Sequence, residues 1–103
     1  MPLIPAVVTW DATLNKGTVA DIVVPKSNGS TSIQWTCAPE VASFTISGLD
    51  ATEFSPASSR ADVTTFTTVD TGDTAQDYTY TVEAVAAAGG QRTRHDPKIT
   101  NEP

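Results

Sequence analysis

The clearest feature of the sequence is a strict alternation of apolar and polar residues in its middle third. Between positions 32 and 37, Ile33, Trp35 and Cys37 alternate with Ser, Gln and Thr. Successive side chains of a β-strand point to opposite faces, so this spacing is typical of a strand with one buried face. We therefore expect Trp35 to lie in the core, with Cys37 beside it.

The same period of two recurs along the chain and predicts about seven strands. They are Ala6–Trp10, Thr18–Val24, Ser32–Cys37, Ala42–Ser47, Asp62–Val69, Tyr78–Ala84, and a last one from Gln91–His95 into the region of Ile99. The Asn-Gly pair at 28–29 predicts a hairpin between the second and third of these strands, and the Gly pair at 89–90 predicts another before the last. Segment 51–60 is interpreted as an irregular loop with Phe54 tucked under it.

Composition strengthens the strand prediction. The chain has 17 Thr, 10 Val and 5 Ile against 3 Leu and 1 Met, and β-branched residues fit a pleated sheet better than a helix. Seven Pro and 6 Gly divide it into segments too short for helices of ordinary length. A chain of 103 residues has room for one domain, which spans 1–103. We expect an all-β fold, a β-sandwich of about seven strands.

Charge and cysteine content exclude several classes of partner. With 12 acidic and 6 basic residues the net charge is -6, which repels phosphate backbones and argues against nucleic acid as a partner. The single Cys37 cannot form an internal disulfide. No apolar run approaches the roughly 20 residues of a membrane-spanning helix. The apolar start, 1–8, lacks the basic residues of a signal peptide, so we expect a cytoplasmic location.

Two segments resemble the immunoglobulin-like superfamily, and fibronectin type III modules most closely. Ser32–Glu40 is similar to the second strand of that family, with Trp35 as its core tryptophan. Asp77–Val85, followed by two glycines, is similar to the sixth strand and its hairpin. This resemblance implies a Greek-key sandwich of the immunoglobulin-like kind.

The end of the chain also resembles small bacterial proteins with a cupredoxin-like sandwich. The shared features are a tyrosine-rich strand, a glycine hairpin and an ending like Asp96-Pro97-Lys98-Ile99. A true cupredoxin holds copper with two His, a Cys and usually a Met. Here His95 is the single His and Met1 the single Met. The resemblance therefore implies a copper-free sandwich, and we expect no metal site and no cofactor.

The sharpest catalytic motif is Asp70-Thr71-Gly72. Retroviral-type aspartic proteases carry this triplet in short chains that dimerise to pair two carboxylates. That family places the triplet early, whereas only 31 residues follow Gly72 here. Asp and Gly are equally typical of a turn between two strands. A dimeric hydrolase using Asp70 is the alternative to a non-catalytic domain.

Two other groups of residues are weaker candidates for a functional site than the Asp70 triplet. Asp70, Asp73 and Asp77 could offer oxygens to calcium, but their spacing lacks the regular pattern of a calcium loop, so a weak surface site is the most we expect.

A nucleophilic pair of Cys37 with His95 would have only Asp96 nearby to orient the imidazole. We expect Cys37 to be an inert residue of the core instead, since burial disfavours the thiolate.

The only basic cluster lies near the end of the chain. Arg92, Arg94, His95 and Lys98 fall on the last predicted strand, with Arg92 and Arg94 on one face. One interpretation is an edge strand that charge protects from pairing with another chain. The other is a binding site for an anion or an acidic partner.

The first predicted strand is the opposite case. Positions 3–10 contain no charge, and prolines occupy only the beginning of the run. If one edge recruits a partner, we expect it to be this one, with Val8 exposed on it. The sequence contains no converging acid, base and nucleophile. We therefore expect a non-catalytic module for protein binding or assembly, a monomer or weak dimer on its own.

Overall fold

Eleven β-strands and one short 3-10 helix make up the regular structure, in a computed structural model that describes residues 1–103. The strands are β1 (Leu3–Asp11), β2 (Lys16–Thr18), β3 (Ile22–Val24), β4 (Thr31–Cys37), β5 (Val41–Ser47), β6 (Phe54–Ser55), β7 (Thr65–Asp70), β8 (Asp77–Thr79), β9 (Thr81–Ala86), β10 (Arg92–His95) and β11 (Lys98–Asn101). The 3-10 helix, Lys26–Asn28, lies between β3 and β4. The all-β class predicted from the sequence is confirmed.

The strands form one five-stranded sheet, β2-β1-β4-β7-β6, and two three-stranded sheets, β10-β9-β5 and β3-β11-β8. In the large sheet β1 runs parallel to β4, from Leu3 opposite Ser32 to Val8 opposite Cys37. The strand β3 is likewise parallel to its one neighbour, β11. Both of these strands from the first quarter of the chain therefore pair with segments far away in sequence.

The chain passes directly from one small sheet to the other at two points, between β8 and β9 and between β10 and β11. Only Tyr80 separates β8 from β9, and only Asp96 and Pro97 separate β10 from β11. The Tyr80 N–H donates to the Pro97 carbonyl at 3.1 Å, so one backbone bond spans the break. Pro97 has no N–H to donate, which interrupts the pairing at this point.

One core joins all three sheets, and Trp35 and Tyr80 lie at its centre. Both are fully buried, and the Trp35 indole Nε1 donates to the Tyr80 hydroxyl at 3.2 Å. Their rings meet edge to face with centroids 5.6 Å apart, a favourable arrangement for aromatic pairs. Burial raises the pKa of Tyr80 to about 12, so its hydroxyl stays neutral. The buried position expected for Trp35 is confirmed.

Several other expectations about the core are confirmed. Phe44 and Ile46 of β5 have no exposed surface, and Phe54 is buried as expected, although it lies on the short strand β6 and not in an irregular loop. The glycine pair at 89–90 turns the chain between β9 and β10, with φ of 82° and 66°. These are left-handed angles that glycine adopts without a steric penalty.

The expected number of strands is wrong, because long alternating stretches break where the chain changes sheets. Thr18–Val24 was one predicted strand, but β2 pairs with β1 and β3 pairs with β11. Tyr78–Ala84 likewise divides at Tyr80, although its four alternate apolar side chains are all buried as expected. The alternation of buried and exposed residues continues through the point where the chain changes sheets, so the pattern alone does not reveal the change.

The predicted hairpin around residues 28–29 is also wrong. Its two strands, β3 and β4, lie in different sheets. Gly29 does have a left-handed φ of 62°, but it follows the 3-10 helix and redirects the chain into the large sheet.

Candidate functional site

An apolar groove separates β1 from β3, where the chain passes from the large sheet to a small one. Its volume is about 350 Å³, and its walls are Ile4–Val7 and Val19–Val23. Asp21 is the one charged residue among them. A groove of this size falls within the range of natural ligand pockets.

The first wall is an unpaired edge of β1. The carbonyls of Pro2 and Val8 accept hydrogen bonds from Ser32 and Ala38 on the β4 side, both at 2.9 Å. Backbone groups alternate in direction along a strand, so those of residues 3, 5 and 7 point away from β4. The strand β2 covers this side only at residues 9–11. Val7 therefore keeps a free N–H and a free carbonyl.

The second wall is an unpaired edge of β3. The Val24 carbonyl accepts from the Glu102 N–H at 3.1 Å, on the side of β11. By the same alternation, the N–H and carbonyl of Val23 point away from β11. No strand lies on that side, because β3 ends its sheet. Two open strand edges thus border the same groove.

Exposed apolar side chains accompany these edges. Leu3 is 57% exposed, Val7 47% and Val23 53%. Large hydrophobic side chains that cluster at the surface mark interaction sites more often than isolated ones do. Neither edge carries a lysine or an inward-pointing charge, two of the usual protections against pairing with another chain. Pro5, which has no N–H to donate, is the one protective residue on the open stretch of β1.

The structure corrects the expected position of Val8. This residue is fully buried and contributes to the core, whereas its neighbour Val7 is exposed. The sequence Leu-Ile-Pro-Ala-Val-Val contains no polar residue to show which face is outward. A one-residue error in register reverses every side chain, and the expectation that Val8 is exposed is wrong for this reason.

The basic residues of the predicted cluster do not converge on a common point. Arg92 and Arg94 lie on β10, at the outer side of its sheet, whereas Lys98 lies on β11, between β3 and β8. Each has its own acidic partner: Arg92 contacts Asp62 at 2.9 Å, Arg94 contacts Asp96 at 3.2 Å, and Lys98 contacts Asp77 at 3.6 Å.

His95 and Cys37 are engaged separately. The His95 Nε2 lies 3.2 Å from the carbonyl of Val19. Cys37 is half-buried against the core, and burial raises the pKa of its thiol. No hydrogen bond joins the two side chains, and the position of Cys37 beside the core is the one expected.

Asp70 lies inside the protein at the end of β7. Its side chain has no exposed surface, and its Oδ1 accepts the Gly72 N–H at 2.9 Å, as in a turn. Asp73 and Asp77 are exposed, and Asp77 bonds Thr100 and Lys98. The three aspartates do not form a common calcium site, and no group of three or more His, Cys, Asp or Glu side chains is placed to hold a metal ion.

The chain matches no family model and none of the curated proteins. No helical segment has the length and apolar character needed to span a lipid bilayer. The functional interpretation therefore rests on the groove and its two open edges.

Proposed function

We propose that this all-β domain is a non-catalytic binding module that receives an extended strand of a partner protein in the groove between β1 and β3. One observation carries the proposal: two unpaired strand edges, at Val7 and Val23, border one apolar groove. Strand addition to an open edge is a common mode of peptide recognition, in which backbone hydrogen bonds supply affinity and side-chain pockets supply specificity.

The groove also defines the chemistry of the partner. The open stretch of β1, residues 3–7, is about 16 Å long at the usual rise of about 3.3 Å per residue. A partner segment of about five residues would cover it. Apolar side chains at alternate positions suit the walls, and a lysine or arginine suits Asp21, the one charge there. A second copy of this chain fits less well, since each carries a net charge of -6.

Within this proposal the domain is a Greek-key sandwich of the immunoglobulin-like kind. The orders β4-β7-β6 and β5-β9-β10 correspond to strands B-E-D and C-F-G of that fold. The Tyr78 hydroxyl donates to the Thr74 carbonyl, four residues upstream, at 3.3 Å. A tyrosine bonded in this way near the start of strand F is a hallmark of the fold. Tyr78 lies on β8, which directly precedes the strand assigned to F, β9. Trp35 on β4 supports the resemblance of that strand.

The rival function, an aspartic-type hydrolase, requires Asp70 to meet its counterpart from a second chain. The burial of Asp70 and its bond to Gly72 within the same turn weigh against that encounter. We therefore favour binding over hydrolysis.

The binding proposal can be tested with synthetic ten-residue peptides in which apolar residues and threonine alternate and one lysine occupies each position in turn. We expect a subset of these peptides to bind and to slow amide hydrogen exchange at Val7 and Val23. Val7→Lys should weaken binding by about tenfold or more, because it places a charge against an apolar strand. Asp21→Asn should weaken only the binding of peptides whose lysine reaches position 21.

Leu14→Lys is the matched control, since Leu14 is 60% exposed and lies outside the groove. It should bind the peptides as well as the unmodified protein does. If no peptide protects the two amides, or if Val7→Lys binds normally, the proposal is wrong. If the protein alone forms a dimer that Val7→Lys dissociates, the occupant is a second copy and not a separate partner.

A further inference from the structure

A second site, which is polar, lies where β7 and β11 end and β6 begins. Three polar side chains are buried there: Glu53 is 4% exposed, Asp70 0% and Asn101 3%. They come from three different parts of the chain. None of them bonds a lysine or an arginine, which is unusual because buried carboxylates are normally paired with a cation or neutralised.

Asn101 joins the two carboxyl groups. Its Nδ2 donates to Asp70 Oδ1 at 3.0 Å and to Glu53 Oε1 at 3.3 Å. It also lies 3.4 Å from the Thr74 carbonyl. The opposite orientation of the amide would place Oδ1 against these three acceptors, so the hydrogen bonds fix which atom is nitrogen.

Two oxygen atoms in this site have no partner, Asp70 Oδ2 and Asn101 Oδ1. Leaving a buried polar atom unpaired is unfavourable, and native proteins do so rarely. The two atoms belong to groups that one hydrogen bond already joins. Both are acceptors as long as Asp70 is ionised, but a protonated carboxyl group also has an O–H donor.

We infer that folded Asp70 keeps its proton to a higher pH than an exposed aspartate does, and that in this acid form its Oδ2–H donates to Asn101 Oδ1. The acid and the amide then form a closed pair with two hydrogen bonds, one from Asn101 Nδ2 to Asp70 Oδ1 and one in the opposite direction. A single proton satisfies both unpaired atoms. It also removes one of the two buried negative charges that would otherwise lie beside each other.

The surroundings of Asp70 favour the neutral form. Burial raises the pKa of its carboxyl group, the hydrogen bonds from Asn101 and Gly72 oppose that shift, and the charges of Glu53 and Asp73 add to it. Burial and the charge of Glu53 also raise the pKa of the Tyr78 hydroxyl on β8. No cation contacts the site to counter them.

A raised pKa determines the sign of the pH dependence. Below about pH 4 both the folded and the unfolded states carry the proton, and the acid–amide pair is intact. As the pH rises from there through the pKa of folded Asp70, the proton is lost and this contribution to stability disappears. The pKa values of Asp62, Asp77 and Asp96 are lowered by hydrogen bonds, so these groups act in the opposite direction and must be separated from Asp70.

The direct test is a carbon-13 NMR titration of the Asp70 carboxyl group in the full chain. We expect its midpoint to lie above the ordinary aspartate value of about 3.9. The exposed Asp73, on the same turn, is the internal reference. A midpoint for Asp70 at or below about 3.9 would overturn the inference.

Asp70→Asn provides a second test, because an amide in place of the acid keeps the same donor and acceptor arrangement. The melting temperature of the unmodified protein should fall, relative to this variant, between pH 4 and 8, by about 5 °C for each unit by which the pKa is raised. Asp73→Asn, the matched control, should leave most of that decrease in place, because the charge of Asp73 is the smallest of the causes that raise the pKa of Asp70. Glu53→Gln identifies the proton carrier: if it abolishes the decrease and Asp70→Asn does not, the proton belongs to Glu53 and the inference is wrong.

A cation is the competing occupant, because the same oxygens could bind calcium. Both tests are therefore run with EDTA and with calcium chloride. If calcium raises the melting temperature and Asp70→Asn abolishes that gain, the site holds a metal and not a proton. Because these experiments use no peptide, their outcome is independent of the strand-binding proposal.

Discussion

Two open strand edges of this protein have opposite chemistry. The outer strand β10 presents Arg92 and Arg94, each held by an acidic neighbour. The open stretch of β1 presents Leu3 and Val7, with no charge between them. Charge on an edge strand discourages pairing with another chain, whereas an uncharged, apolar edge invites it. The difference is that charge protects the edge of β10, whereas the edge of β1, with Pro5 as its one protective residue, is the one to which we propose that a partner strand is added.

The largest expected effect comes from placing a charge inside β1 instead of on its open edge. Val8→Lys should reduce the free energy of unfolding by more than about 4 kcal/mol, because it buries an unpaired charge in the core. Val7→Lys, one residue away and exposed, should change it by no more than about 0.5 kcal/mol. Urea denaturation measures both values. If the two variants lose similar stability, β1 does not have an inner and an outer face, and the comparison of edges fails.

A second substitution concerns how β2 packs against the protected side. The Gly17 N–H donates to the Thr93 hydroxyl of β10 at 2.9 Å, and a Cβ at position 17 would overlap the Cβ of Ala84 on β9. Gly17→Ala should therefore reduce the free energy of unfolding by about 1 to 3 kcal/mol.

Thermal or urea denaturation of Gly17→Ala can be compared with that of the double variant Gly17→Ala, Ala84→Gly. The second substitution removes the methyl group that the first one meets. We expect it to restore part of the lost stability. If the single variant is as stable as the unmodified protein, β2 does not pack closely on β9.

The smallest expected effect on stability comes from the charges of β10. Arg92 and Asp62 are both exposed, and salt screens exposed ion pairs, so Arg92→Ala should leave the melting temperature almost unchanged. Its self-association should increase, because the edge loses a charge that opposes pairing. Sedimentation at low and high salt measures this increase, with Lys26→Ala, away from β10, as the control. A variant that stays as monomeric as the unmodified protein would show that charge does not protect this edge.

The parts of the fold that local patterns predict are the strands with one polar and one apolar face. The alternation around Ile33 and Trp35 predicted a buried face, and the structure confirms it. For β1 the pattern failed, because apolar residues occupy both faces. The parallel pairings of β1 with β4 and of β3 with β11 were not predictable, since no local signal states which distant strand becomes a neighbour.

The candidate sites depend on those same pairings. The groove requires β1 and β3 to border one space, and neither edge is recognisable until its neighbours are known. The Asp-Thr-Gly triplet marks Asp70 as part of a turn, whereas Glu53 and Asn101 belong to no recognisable motif. A signal was present, because Glu53 lies directly before the buried Phe54. Only the structure places the carboxyl groups at 53 and 70 around the amide of 101.

The pairing of β3 with β11 also orders the events by which the groove can form. Ile22 lies opposite Ile99, and β11 is the only strand that holds β3 in place. Until residues 98–101 have left the ribosome, β3 has no neighbour, and the second wall of the groove cannot exist. A partner strand of the kind we propose can therefore be received only by a chain from which residues 98–101 have emerged. During translation the apolar edge of β1 lacks its counterpart, and the groove is one of the last features of the fold to be completed.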